Sequence, residues 1–248
     1  MTIGVLCSPA VAWAQETLRQ LNPAVQKSLM RDIEQNRYLY QFSFAPAYSR
    51  YKDENDWFNT GFAFRVYPVK NWEFSVGSYF LSYQSPDFSV DDIYAGARRT
   101  FYNQHSFTLA VSGYLNFPTG SPAFRETGIQ PTLAFTVTKT TGAFDFGATV
   151  GTTYAADSQG EPCYFDFETR LEINYRQNEK NSFGIFKYGY IPDQREDGVL
   201  RLSTGASYTR TLNKRQWASV TFEKGLSGRG LDWSITFSYD FTFGTTGK

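Results

Sequence analysis

The stretch Leu231-Asp232-Trp233-Ser234-Ile235-Thr236-Phe237-Ser238-Tyr239-Asp240-Phe241-Thr242-Phe243 places a large apolar or aromatic residue at every odd position and Asp, Ser or Thr at every even one. Successive side chains of a strand point to opposite faces, so this segment has one greasy and one wet side. Its length suits a tilted strand crossing a bilayer. A soluble sandwich uses the same alternation with the apolar side turned inward. Recurrence decides between them, because the pattern returns at similar length about twelve times along the chain. The expected fold is all-β, a closed antiparallel transmembrane β-barrel of about twelve strands spanning residues 37–243.

Upstream, Phe107, Leu109, Val111 and Leu115 alternate with Thr108, Ser112, Tyr114 and Asn116, and Phe165, Phe167, Leu171 and Ile173 with Asp166, Glu168, Arg170 and Glu172. The segment Ser182–Ile191 admits either face; placing Phe186, Tyr188 and Tyr190 outward turns Lys187 toward water. Connections also sort by length. Short turns fall near Val69–Asn71, Asn103–His105, Thr141-Gly142, Asn178–Asn181 and Asn213–Arg215, with longer loops between them. Outer-membrane barrels have short periplasmic turns and longer external loops, and both ends of this barrel fall on the short-turn side.

Composition narrows the class. Aromatic residues make up 18% of 248, while 24 basic and 24 acidic residues leave no net charge, which argues against a nucleic-acid partner. No run of about 18 apolar residues exists, so a helical span is excluded. Inward polar residues dilute the hydropathy of barrel strands, consistent with a mean of −0.42. Cys7 and Cys163 give neither a disulfide framework nor a thiolate metal site, and no cofactor is implied.

Residues 1–14, MTIGVLCSPAVAWA, end in a small-x-small motif at Ala12-Trp13-Ala14 and read as the remnant of a secretory signal cleaved before Gln15. No basic residue precedes the apolar run, which points to a translation start upstream of Met1. In residues 15–36, Asn22-Pro23 is a helix start, and Leu21, Val25, Leu29 and Ile33 recur every fourth residue. A short amphipathic helix docked at the periplasmic mouth is expected there, with a frayed extension as the alternative. Residues 244–248 form a short tail.

Tyr239, Phe241 and Phe243 resemble the C-terminal aromatic pattern by which the barrel-assembly machinery recognises its clients, although Gly244 to Lys248 follow here. The run Asn116-Phe117-Pro118-Thr119-Gly120, a strand breaking into a proline-glycine loop before an amphipathic strand from Pro131, resembles the outer-membrane proteins grouped as a phenol-degradation meta-pathway or transporter family. That resemblance implies passage of small, aromatic or hydrophobic molecules through a bacterial outer-membrane barrel. It carries over no catalytic residue.

By parity, the inward charges are Arg65, Glu73, Asp92, Arg98, Asp145, Asp166, Glu168, Arg170, Glu172, Lys187, Arg201, Glu223, Asp232 and Asp240. Acids outnumber bases, and acidic rings favour cations, so an open lumen implies a weak cation preference. The alternative is that these charges pair across a narrow barrel and fill it. The column Asp166-Glu168-Arg170-Glu172 puts four charges on one line, with Lys187 of the next strand as the expected counter-charge. Lipid hydrolysis would need a nucleophile with a base in reach. The single histidine, His105, has Ser106 on the opposite face and Phe107 two residues on. The expectation is therefore passive diffusion of small solutes by a non-enzymatic channel in contact with outer-membrane lipids. A structural or partner-binding barrel with a plugged lumen is the alternative.

Overall fold

The computed structural model describes residues 39–52, 56–69, 71–84, 87–104, 106–121, 128–155, 164–191, 200–228 and 230–244. The expected leader and amphipathic helix, residues 245–248 of the expected tail, His105 and residues 122–127 lie outside them, while Gly244 is part of the last strand. Among the described residues there are thirteen strands. They are β1 (Leu39–Tyr51), β2 (Trp57–Tyr67), β3 (Trp72–Gln84), β4 (Asp87–Ser89), β5 (Ile93–Gln104), β6 (Phe107–Phe117), β7 (Gln130–Thr141), β8 (Phe144–Ala155), β9 (Tyr164–Arg176), β10 (Asn181–Ile191), β11 (Arg201–Asn213), β12 (Gln216–Gly225) and β13 (Leu231–Gly244).

Apart from β4 and β5, which do not pair with each other, each strand pairs antiparallel with its sequence neighbour, and the sheet closes because β1 pairs with both β2 and β13. The short β4 folds back on the end of β3, and β5 takes the next place in the wall, so twelve strands form the ring. Closure satisfies every ladder donor and acceptor without water, which a hydrocarbon environment requires. A strand of about 12 residues, at about 3.3 Å per residue and a tilt near 45°, rises roughly 28 Å, close to the thickness of a bilayer core.

The two faces separate as alternation demands. Leu133, Phe135, Val150, Phe167, Leu171, Ile185 and Phe237 are exposed on the outside. Ser112, Thr136, Gln41 and Asp240 are buried on the inside. This is the inverse of a soluble protein, and a surface so continuously apolar belongs in lipid. Five short connections gather at one end with Leu39 and Gly244, and the longer loops gather at the other. The β7–β8 turn needs a glycine, because Gly142 adopts φ 59°.

Candidate functional site: the barrel lumen

One side of the lumen is built by β8 to β12. Cross-strand partners in an antiparallel pair share a face, so Asp166, Glu168, Arg170 and Glu172 of β9 lie in one inward column beside Tyr190, Tyr188 and Phe186 of β10. The Tyr190 hydroxyl donates to Asp166 at 3.0 Å and that of Tyr188 to Glu168 at 3.3 Å. Arg170 pairs with Glu172 at 3.2 Å, and its guanidinium lies 3.9 Å from the centre of the Phe186 ring. Glu223 of β12 faces inward and accepts a hydrogen bond from Ser203 of β11. Arg201, at the loop end of β11, is half-buried opposite Tyr190.

The opposite side, from β13 through β1 and β2 to β6, is electrically balanced. Arg65 is 2% exposed; it donates to the Ser43 hydroxyl at 2.6 Å and pairs with Glu73 at 3.5 Å. Ser43 and Gln41 both donate to Asp240, the latter at 3.1 Å, and the Tyr67 hydroxyl donates to Gln41 at 2.9 Å. Arg98 stands directly across from Glu73. Tyr94 and Tyr114 meet edge to face with centroids 6.2 Å apart. Nearer the turns, Asp145 pairs with Arg176 at 3.3 Å and accepts from Thr140 at 2.6 Å.

Long inward side chains do not simply reach toward the axis. A methyl group on Gly147 would stand 2.6 Å from a Glu172 carboxylate oxygen, and one on Gly151 would stand 2.6 Å from Glu168. Gly205 likewise lies under Phe186, Gly96 under Tyr114 and Gly77 under Tyr94. These five inward glycines are seats for bulky neighbours on the adjacent strands. The seats lay carboxylates and rings along the wall.

At the loop end, the Asn116–Gly120 run is a fastening. The Gly120 amide donates to Asp92 at 2.7 Å, Asn116 reaches the same carboxylate at 3.5 Å, and the Ile93 amide donates to the Thr119 hydroxyl at 2.9 Å. A side chain at Gly120 would stand 2.9 Å from both Asp92 and the Val90 carbonyl, so the close approach demands glycine. Asp91 sits in the same corner beside Ser82; burial, with Asp92 next to it, raises its carboxyl to about 6.

Of the expected inward charges, Arg65, Glu73, Arg98 and Asp240 gather on the balanced wall, and Asp166, Glu168, Arg170, Glu172, Arg201 and Glu223 on the acidic one. Asp145 lies near the turns, while Asp92 fastens a loop and Asp232 pairs with Lys224 at the loop-side rim. Lys187 is a correction. It stands across from Leu171 and Thr204, both exposed outside, and is itself exposed, whereas Phe186 is 5% exposed and inward. The expected parity of β10 is therefore inverted, and Arg170 within the column, not Lys187, offsets its acids. Phe186, Tyr188 and Tyr190, expected outward, face in, and Tyr67, Tyr94 and Trp217 are further inward aromatic residues beyond the expected charges. Gly184, level with Ser207 and Asn174, was the available signal on β10: small and polar neighbours mark its even positions as the inner set.

Similar architectures exist among solved structures. The COG4313 outer membrane channel from Pseudomonas putida F1 superposes with a TM-score of 0.68 at 12% identity, over 84% of this chain and 96% of that one. The NanC porin gives 0.60 at 9% identity over 83% and 100%, and the KdgM porin 0.52 at 9% over 81% and 99%. The chain has the fold of outer-membrane channels. No protein-family model and no curated protein sequence matches it.

Proposed function

We propose that this protein is a bacterial outer-membrane channel for passive diffusion of small solutes, with a preference for cations set by the β8–β12 wall. The observation that carries the reading is the set of glycine seats. Glu168, Glu172, Phe186, Tyr94 and Tyr114 lie over Gly151, Gly147, Gly205, Gly77 and Gly96, an arrangement that lays these long side chains along the wall rather than straight across the barrel. A barrel whose charges serve only to fill it has no use for such seats. The acid column, joined by Glu223 across β10 and β11, gives the conduction path a negative side, and a row of carboxylates favours cations. The part-exposed inward rings of Tyr94, Tyr188 and Tyr190 offer apolar faces, which supports aromatic or hydrophobic solutes. The chemistry proposed is binding and passage. The apolar exterior requires outer-membrane lipids, and the aromatic end of β13 fits a client of the barrel-assembly machinery.

Planar-bilayer recording tests this. The triple variant Asp166→Asn, Glu168→Gln, Glu172→Gln removes three negative charges from one inward line, so its cation-over-anion permeability ratio should fall while unit conductance persists. Unchanged selectivity would show that these carboxylates do not line the path. Silence from correctly folded and inserted wild-type protein would favour the plugged barrel.

A further inference from the structure

The outward face carries a second pattern that channel function does not use. Among the described residues, the outward positions of the twelve wall strands hold no Asp or Glu; every carboxylate on these strands faces in. Bases do occur outward: Arg50, Lys187 and Lys224 in the loop-side half, and Arg99, Lys139 and Arg210 at the turn end, where exposed bases of the turns join them. Arg99 is exposed on β5 with its guanidinium 5.3 Å from the Trp72 ring and 5.0 Å from that of Phe101. Lys139 stands between Phe107 and Phe146 on the neighbouring strands, and Arg210 is exposed two residues beyond Tyr208. Lys180, Lys214 and Arg215 are exposed in the adjoining turns, where Glu179 is the one acid among the described residues.

The two rims treat their bases differently. At the loop end, Arg50 pairs with Asp56 at 3.6 Å and Lys224 pairs with Asp232. At the turn end, no carboxylate of the described residues pairs with Arg99, Lys180, Arg210, Lys214 or Arg215, and Asp145 is taken by Arg176. The sequence extends the contrast: loop intervals 53–55, 156–163 and 192–199 hold seven acids and one base. The loop end is thus rich in acids, with Arg50 and Lys224 paired to carboxylates, and the turn end is rich in bases, of which Arg99, Lys180, Arg210, Lys214 and Arg215 have no carboxylate partner among the described residues.

We propose that the turn-side rim is a docking surface for anionic phospholipid headgroups, with phosphatidylglycerol-type lipids as the occupants. A base just beyond an aromatic girdle lies at headgroup depth, its stem along the apolar surface and its charge in the interface. Arg99, its guanidinium over two rings, sits in that layer, and a planar guanidinium matches a phosphate better than an ammonium does. Each base near a membrane surface adds about 1 kcal/mol of attraction for anionic lipid, and the bases here extend from β5 round to the β11–β12 turn, so several headgroups are held at once. The surface requires only that the barrel spans a membrane, and it stands independently of conduction.

Reconstitution of the full chain in phosphatidylcholine vesicles, with spin-labelled phosphatidylglycerol or spin-labelled phosphatidylcholine as the probe, decides the matter by electron spin resonance. The phosphatidylcholine arm reports insertion by itself. At low salt, phosphatidylglycerol should show roughly two- to five-fold stronger association with the barrel surface. That preference should collapse in 1 M NaCl and in the variant Arg99→Gln, Arg210→Gln, Lys214→Gln, Arg215→Gln. The double variant Lys214→Gln, Arg215→Gln changes only an exposed turn and should give a partial loss, which keeps the test open if the larger variant does not fold. Arg50→Gln, Lys224→Gln at the opposite rim should leave the preference intact. Equal association of the two lipids overturns the proposal, as does a preference that survives high salt or both turn-side variants.

Discussion

Lys187 illustrates how a single side chain is placed by its neighbours rather than by its own chemistry. An ammonium prefers water, yet the β9–β10–β11 register binds Lys187 to the same face as Leu171 and Thr204. A one-residue slip would turn Lys187 inward, and it would also turn Phe183 and Ile185 inward and Phe186 off its glycine. Position 187 is the seventh of eleven residues in β10, between the middle of the span and the loop-side interface. A lipid-facing lysine costs about 2–4 kcal/mol at the midplane and about 0–1 near the interface. Lys187→Leu should therefore raise unfolding stability by about 1–3 kcal/mol in reversible urea titrations in lipid, with ion selectivity unchanged. A loss of stability, or a shift in selectivity, would return this side chain to the lumen.

Among the elements, the glycine seats and the loop fastening make separate predictions. At Gly147→Ala and Gly151→Ala the nearest atoms met belong to the side chains of Glu172 and Glu168, which can swing aside. The displaced carboxylates move toward the axis, so single-channel conductance should drop in a properly folded barrel. Gly113 faces outward, and a methyl there finds its nearest atom 4.0 Å away, so Gly113→Ala should be silent. Equal conductance in all three would mean that the seats do not shape the path. In the corner at Asp91, the protonated form is favoured by burial, so folding binds the proton more tightly than the unfolded chain does. The corner is then most stable below about pH 4 and loses stability as pH rises toward 6, with a cost on the order of 3 kcal/mol once ionised. Amide exchange at Gly120 and Ser121, corrected for intrinsic rates, should show stronger protection at pH 5 than at pH 7. Asp91→Asn should remove the difference; a persistent difference would assign it to another group.

How far these features were legible differs by element. Strands such as β6, β9 and β13 are written in their alternation, because each apolar face meets lipid along its whole length. The turns were equally plain, Gly142 marking one by its backbone requirement. β10 was not, since aromatic residues occupy its even positions and mixed ones its odd positions, and only the register with β9 separates the faces. The three-residue β4 is too short to carry a period. In the lumen, the acid column was readable from β9 alone. The glycine seats, the Arg65–Glu73–Asp240 network and the Asp91 corner join residues far apart in sequence and exist only after pairing.

Taken whole, the molecule is sorted along two directions: acids inward and apolar residues outward across the wall, acids toward the loops and bases toward the turns along the axis. The closing seam, where Leu39 meets Gly244 and Phe42 meets Phe241, adds a consequence of a different kind. Every other wall joint links strands adjacent in the chain, but this one joins its two extremities, so it cannot form until the last strand has been made. Bringing together ends about 200 residues apart carries an entropic cost of roughly 5 kcal/mol beyond the constant term, and no partial ring recovers it. Until the seam zips, β1 and β13 are two bare edges, each able to recruit a foreign strand. Once shut, the ring has no first strand: a version reopened in one of the long loops and sealed between the present ends would enclose the same lumen.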